Sequence, residues 1–365
     1  MFYRFIENKF KHFTSAIMNS MFIRLAFFLL VIIPYNQLVA QEKLAGEKYV
    51  MVIHGGAGTI LKSQMSPEKE KAYKAALTLA LETGYKKIKA GESSLNAVEA
   101  AVNVMEDSPL FNAGKGAVFT NEGKNELDAA IMNGSNLMAG SVAGVTTIRN
   151  PITAARAVME KSEHVMMVGA GAEKFAAEVG LKIVDPKYFW TKDRWDALQR
   201  IKKKDSVKTQ LDHDDKKSHK LGIENKDSKF GTVGAVALDH KGNLAAATST
   251  GGMTNKKYGR VGDAPLIGVG TYANKLVGIS CTGWGEFFIR NVVAYDVAAL
   301  MEYKKLSVDE ASREVIMNKV PALGGDGGLV ALDKEGNVSM PFNTAGMYRG
   351  TVTKDGKIEV YIYKD

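Results

Sequence analysis

Between Lys202 and Lys229 the chain carries nine lysines and six acidic residues, and its only large apolar side chains there are Val207, Leu211, Leu221 and Ile223. A stretch of that composition cannot bury enough apolar surface to order itself, so residues 202–229 read as a mobile linker. Any core must then be assembled from two separate pieces of chain. The second piece starts abruptly: "KDSKFGTVGAVALD" changes character at Phe230-Gly231 and enters a strand pattern at Thr232.

Both pieces contain strands and helices. In the first, "KYVMVIHGG" is a buried strand running into a glycine turn. Ser66-Pro67 is an N-cap with proline at the first helical position, opening a helical pattern that continues to Gly91. A second helix is expected in "SLNAVEAAVNVMED", with Ser94 as its cap. Strand-like pieces follow in "GAVFT" and "ELDAAIMNG", then an alternating "MAGSVAGVTTI", a helix from Pro151, and a strand and helix in "HVMMVGAGAEKFAAEVG". In the second piece, "TVGAVALD" and "NLAAATST" flank the turn "HKGN". "GLVALD" pairs with "NVSMPF" and "YRGTVT" with "KIEVYIY", with two helices, "GEFFIRNVVAYDVAALMEYKK" and "SVDEASREVIMNKV", lying between these sets. The pattern predicts antiparallel sheets covered by helices, a layered α+β fold. The second half alone would leave sheet edges exposed, so both halves are expected to share one core.

The 365 residues are 45% hydrophobic and 24% charged, an ordinary globular balance. Arg4, Lys9, Lys11 and Arg24 against Glu7 place +3 of the net +8 in the first 40 residues, leaving +5 for the rest. That excess, without a basic stripe interleaved with aromatics, gives no reason to expect a nucleic-acid partner. Residues 1–40 have the form of a cleaved signal: basic residues, the apolar run "LAFFLLVIIPY", and "NQLVAQEK" with Ala40 before the cut. The apolar run is short for a membrane span, so export to the periplasm or medium is expected, with Met21 as an alternative start. Cys281 is the single cysteine, which excludes an intrachain disulfide and reads as a buried apolar residue. Six scattered histidines, with no CxxC or HExxH, give no zinc spacing.

The start at Thr232 raises a chemical reading. A hydroxyl is a weak nucleophile unless a base sits beside it. A threonine at a free N-terminus carries its own base, because an α-amino group has a pKa of about 7.7–8. Breaking the Gly231-Thr232 bond would create that group, and glycine suits the strained approach that such a cut requires. Thr250, at the end of "ATST", is brought beside Thr232 by the hairpin. "GRVGDAP" offers Arg260 and Asp263 together, suited to the carboxylate and ammonium of an amino-acid head group. "CTGWGE" offers the Thr282 hydroxyl and backbone N–H groups for an oxyanion. Taken singly, a Gly-Thr pair is more often only the start of a strand, an Arg and Asp a surface pair, and a threonine a strand-end residue.

Taken together and in order, "IHGGAG", "SPLFNAGKGAVFT", "ELDAAIMNG", "GTVGAVALD", "ATSTGG", "GRVGDAP" and "CTGWGE" resemble the isoaspartyl peptidase/L-asparaginase family, the plant-type asparaginases among the N-terminal nucleophile hydrolases. The resemblance covers most of residues 47–365. It implies a four-layer αββα sandwich and self-cleavage into an alpha subunit, 41–231, and a beta subunit, 232–365, which pair and dimerise again as a heterotetramer. It implies Thr232 as nucleophile, Thr250 as its hydrogen-bonding assistant, Arg260 and Asp263 as the head-group clamp, and Thr282 with Gly283 as the oxyanion hole. Gly285 would complete the pocket and Asn112 would support the nucleophile. The backbone carbonyls of Met105, Glu106, Ser108, Phe111, Ala113 and Lys115 would hold a structural sodium ion, and no cofactor is required. The implied reaction is hydrolysis of L-asparagine and of β-aspartyl dipeptides through an acyl-enzyme, releasing L-aspartate.

Two departures stand out against relatives: Trp284 where many have a small residue, and the exported start. Glycosylasparaginase, which cleaves sugar-linked asparagine, is the alternative, though "HGGAG" and "TGWGE" speak against it. An aspartate-specific threonine endopeptidase is a weaker alternative, since no feature of the sequence marks a protein-substrate surface. A phosphate loop or lipase oxyanion loop at "HGGAG" lacks the Gly-Lys-Ser/Thr or G-x-S-x-G that would accompany it. A non-enzymatic exported binding protein on the same scaffold would be expected if the chain never cuts.

Overall fold

The computed structural model describes residues 48–212 and 231–364, with backbone alone for 205–212. Two sheets form its centre. The larger has eight strands in the order β12-β11-β1-β5-β6-β2-β3-β4. These are β1 (Val50–Gly58), β2 (Leu127–Asn133), β3 (Ala139–Val145), β4 (Met166–Val168), β5 (Val233–Leu238), β6 (Leu244–Thr250), β11 (Gly346–Val352) and β12 (Ile358–Tyr363). The smaller is β10-β9-β8-β7, built from β7 (Thr271–Ala273), β8 (Val277–Gly283), β9 (Gly327–Asp333) and β10 (Val338–Ser339).

The alternation of strand side chains builds three cores from two sheets. Met51, Ile53, Val233, Ala235, Ala237, Ala245 and Ala247 face the helices α1 (Pro67–Lys89), α2 (Ser94–Glu106) and α3 (Pro151–Lys161). Their neighbours Val50, Val52, Val236, Leu238, Leu244 and Ala246 point the other way and meet Val330 and Leu332 of β9. Val277, Ile279, Cys281, Leu329 and Ala331 face a second helical layer. The order is helix, sheet, sheet, helix: the four-layer αββα sandwich. Because both faces of β1, β5 and β6 are covered, every residue in them is buried, and their sequences read as continuous apolar runs. Cys281 is fully buried, and burial pushes its thiol well above the ordinary range, as befits an inert core residue.

Several local expectations need correction. After the helix α4 (Gly169–Glu178), the helix α5 runs Lys192–Asp212, so the first eleven residues assigned to the mobile linker are helical. "KDRWDALQRIKKKDSVKTQLD" has no glycine or proline, and its straight-chain side chains favour helix even where few are apolar. Residues 213–229 and the proposed signal, 1–40, lie outside the described residues. "GAVFT" is not a strand. After a 3-10 turn at Gly114–Gly116, its backbone is held by side chains: Asn112 Oδ1 accepts from Val118 N, and Asn125 Nδ2 donates to the carbonyls of Ala117 and Val118. Ser93 rather than Ser94 caps α2, accepting from Asn96 N. The β4 strand pairs parallel to β3 at one edge of the large sheet. "NVSMPF" contributes a strand only at Val338–Ser339.

The stretch from Gly285 to Lys304 is two helices, α6 (Gly285–Asn291) and α7 (Val293–Lys304), divided by Val292 at φ 49°. The N–H groups of Ala294 and Tyr295 bond to the carbonyls of Val269 and Gly268, so tertiary contacts take the bonds that one continuous helix would have made.

Candidate active site

Thr232 precedes β5 directly, and the β5–β6 register pairs Val233 with Ser249, which leaves Thr232 beside Thr250. Its Oγ1 donates to Thr250 Oγ1 at 3.2 Å, and the same oxygen of Thr250 accepts from Gly252 N at 3.0 Å. Asn112 holds that turn from behind: its Nδ2 donates to Gly252 O at 2.8 Å and its carbonyl accepts from Gly251 N. Its contact with the nucleophile's partner is thus through the turn.

The peptide before Thr232 is in an unusual setting. Gly231 has φ +69°, in the left-handed region that favours glycine. Gly56 of the "IHGGAG" stretch, at φ +111°, lies against it: a Cβ there would collide with Gly231 Cα and come within 3.2 Å of Thr232 N. Two glycines therefore permit one close backbone crossing at the bond in question.

Thr232, Thr250, Gly231, Arg260, Asp263 and Gly283 line one cavity of about 300 Å³. Thr282, Gly285 and Asn112 stand just behind its wall. Thr282 Oγ1 accepts from Ala57 N at 3.2 Å, which leaves its own O–H to be donated elsewhere. Gly285 makes room for the clamp, since a Cβ would lie 2.7 Å from Arg260 Nη2 and 3.0 Å from Asp263 Oδ1.

The clamp is electrically unbalanced. Asp263 is buried, and its Oδ2 has no hydrogen-bond partner among the described residues. Burial pushes its carboxyl up to about 7, with Arg260 opposing. Arg260 is held by Glu286, Nε to Oε1 at 2.9 Å and Nη2 to Oε2 at 2.8 Å. Burial alone would raise the Glu286 carboxyl, but the Arg260 pair outweighs it and holds the group below the usual range.

A second set of polar residues was not singled out from sequence. His54 on β1 is fully buried, with Nδ1 3.0 Å from Thr232 O and Nε2 2.8 Å from Ser280 Oγ. Burial drives its pKa down to about 3, the Thr232 contact opposing, so the ring is neutral. A carbonyl can only accept, so Nδ1 carries the proton and Nε2 accepts from Ser280. Ser280 must then accept from Thr248 at 2.7 Å, and Thr271 Oγ1 donates to Thr248 at 2.6 Å and lies 3.0 Å from Ala264 O. This buried chain runs from the carbonyl of Thr232 through Ser280 and Thr248 to Thr271, whose hydroxyl oxygen sits beside the carbonyl of Ala264, the residue after Asp263. Its one signal in the sequence was a histidine inside an apolar strand. Gly234 makes it possible, since a Cβ there would fall onto Ser280 Oγ and His54 Nε2.

The loop carrying Met105, Glu106, Ser108, Phe111, Ala113 and Lys115 is closed around glycines. A Cβ on Gly114 would collide with Glu106 O, and one on Gly116 with Phe111 O. The Glu106 carboxyl is engaged elsewhere, with Ser249 Oγ at 2.6 Å and Ile152 N at 3.0 Å, and burial pushes it up to about 8. With that carboxyl engaged, these six residues could offer a cation mainly backbone carbonyl oxygens, the donor type a hard cation takes, and Met105 O and Ala113 O already accept from Ser108 N and Gly116 N. Arg194 of α5 pins this loop by donating to Gly116 O at 2.9 Å and Leu110 O at 3.3 Å.

Residues 47–362 match the family described as asparaginase. The chain is 56% identical over 303 residues to the isoaspartyl peptidase of Escherichia coli (strain K12), covering 83% of this chain and 92% of that protein. It is 54% identical over 303 residues to the isoaspartyl peptidase of Salmonella typhimurium, covering 83% of this chain and 94% of that one. With the plant-type L-asparaginase of Pyrococcus abyssi it shares 43% over 300 residues, 81% of this chain and 94% of the other.

Proposed function

The chain belongs to the asparaginase family, and from that premise we propose that it is a self-cleaving threonine hydrolase. It releases L-aspartate from L-asparagine and from β-aspartyl dipeptides. The observation that carries this is Thr232 Oγ1 donating to Thr250 in the same cavity as Arg260 and a buried Asp263 with an unsatisfied oxygen.

Thr232 Oγ first attacks the Gly231 carbonyl carbon, the acyl group moves from nitrogen to oxygen, and water hydrolyses the ester. Gly231 is left as a carboxylate and Thr232 with a free amine. In turnover that amine takes the hydroxyl proton, Thr250 turns its own O–H toward the Oγ left behind, and Oγ attacks the substrate's β-carbonyl carbon. The oxyanion is met by Thr282 O–H and Gly283 N–H. The leaving nitrogen takes the proton from the Thr232 ammonium and departs as ammonia or as the second amino acid. Water then attacks the ester, and aspartate leaves. Arg260 takes the substrate α-carboxylate and Asp263 its α-ammonium, and asparagine and β-aspartyl dipeptides share that head group.

A sodium ion held by the carbonyls of Met105, Glu106, Ser108, Phe111, Ala113 and Lys115 would stiffen the loop bearing Asn112. No chemical step passes through it. We assign residues 1–40 to export, supported by basic residues ahead of an apolar run. The alpha and beta fragments remain together and dimerise. The names of the relatives favour asparagine and isoaspartyl substrates over glycosyl-asparagine.

The test is ammonia release from asparagine, leucine release from β-aspartyl-leucine and sugar release from glycosyl-asparagine, alongside a denaturing gel. The wild type is expected to run as two fragments meeting at 231/232 and to act on the first two substrates. Thr232→Ala is expected to stay uncut and to lose at least about 10³-fold in kcat. An uncut protein with full activity would overturn the mechanism.

A further inference from the structure

The cavity beside Thr232 has more wall than asparagine needs. Arg260, Gly262 and Asp263 surround the head group, and Thr232, Thr250, Gly252 and Gly283 surround the reacting carbonyl. What remains includes Thr59, Trp284, Asp326, Asn343 and Ala345. By elimination this part of the wall faces whatever lies beyond the amide nitrogen. Ammonia has nothing to place there. The second residue of a β-aspartyl dipeptide does.

Trp284 is the one aromatic among the described lining residues, and Met253 is the only other large apolar side chain among them. The position of Trp284 is held from several sides. It stands between Gly283 and Gly285, and both glycines are packed too closely to admit a side chain: a Cβ on Gly283 would lie 2.6 Å from Asp326 O, and one on Gly285 2.7 Å from Arg260 Nη2. Trp284 N donates to Asp326 O at 2.9 Å. The indole meets the Phe287 ring edge-on, centroids 4.8 Å apart at 77°, and its side chain hydrogen-bonds the Glu286 carboxylate that holds Arg260. An aromatic ring so held presents a rigid apolar face at little entropic expense when a ligand arrives.

We propose that Trp284 determines leaving-group preference at this site. It favours β-aspartyl dipeptides whose second residue is aromatic or large and aliphatic over those ending in glycine. The inference rests on the function proposed above and adds to it a substrate class.

The test is a competition in one tube between β-aspartyl-phenylalanine and β-aspartyl-glycine, so that the kcat/KM ratio is independent of how much protein is folded. In the wild type the phenylalanine substrate is expected to be preferred. Trp284→Thr is expected to lower that ratio roughly tenfold, the scale on which one apolar pocket wall discriminates, and Trp284→Ala serves if the threonine variant does not fold. Trp284→Phe, which keeps the apolar face and loses the indole N–H, is expected to hold the ratio within roughly twofold. An unchanged ratio in the threonine or alanine variant overturns the inference alone. A collapse in Trp284→Phe equal to that in Trp284→Thr also overturns it, assigning the effect to the Glu286 hydrogen bond. Wild-type protein that cleaves neither dipeptide overturns the proposed function and this inference with it.

Discussion

Asp263 illustrates how one residue's surroundings become a pH dependence. Its carboxyl is pushed up to about 7 because burial penalises the charged form more than Arg260 stabilises it. Only the ionised form can accept a substrate ammonium, so binding weakens as pH falls through that value. The free Thr232 amine, with an ordinary pKa of about 7.7–8, must also lose its proton to act as base. Both effects have the same sign. We expect kcat/KM for asparagine to fall below about pH 7, steeper than one proton would give, and a profile flat down to pH 5.5 would contradict it. From sequence, Arg260 and Asp263 were legible as a charge pair at a glycine turn. That Arg260 is held by Glu286 while an oxygen of Asp263 stays unsatisfied was not, because Glu286 is 26 residues from Arg260 and arrives through the fold.

At the scale of elements, β5 does two jobs. It carries Thr232 to the sheet's end and passes Gly234 beneath the His54–Ser280 contact. Replacing Gly234 by alanine drives a methyl into that hydrogen bond from inside a packed core. We expect Gly234→Ala to cost about 1–3 kcal/mol and to lower the thermal midpoint by several degrees, read by calorimetry; an unchanged melt would mean that the buried chain yields without loss. The paired strands around Thr232 were readable from their short apolar runs and the turn residues between them. "GAVFT" was misread because its backbone is satisfied by Asn112 and Asn125 side chains, which leave no periodic mark. The break at Val292 was missed for a related reason: its cause is the 268–269 loop, far along the chain.

Across the whole molecule, the proposed cut divides a sheet without dividing a core. In the order β12-β11-β1-β5-β6-β2-β3-β4, β1 would belong to the first fragment and sit between β11 and β5 of the second, while β6 of the second pairs with β2 of the first. Separating the fragments means breaking three strand interfaces and opening the helix-facing and inter-sheet cores. We therefore expect the cut fragments to co-elute in gel filtration under native conditions and to part only in denaturant, in a single cooperative transition. Separation at neutral pH without denaturant would contradict that interleaving.

What the sequence by itself determined is what is written locally or in order. The apolar strand runs and turn glycines pointed to a layered α+β fold, and the succession of motifs, by resemblance, to the αββα layering and to Thr232, Thr250, Arg260, Asp263 and Gly283, which the structure places around one cavity. Only the tertiary structure decided which oxygens are satisfied and which are not. It brought His54 to the carbonyl of Thr232, Glu286 to Arg260, Arg194 to the loop after α2, and Trp284 to the cavity wall. Local pattern records which face of an element is apolar, whereas a hydrogen bond between residues 178 positions apart, as for His54 and Thr232, depends on how sheets and loops meet.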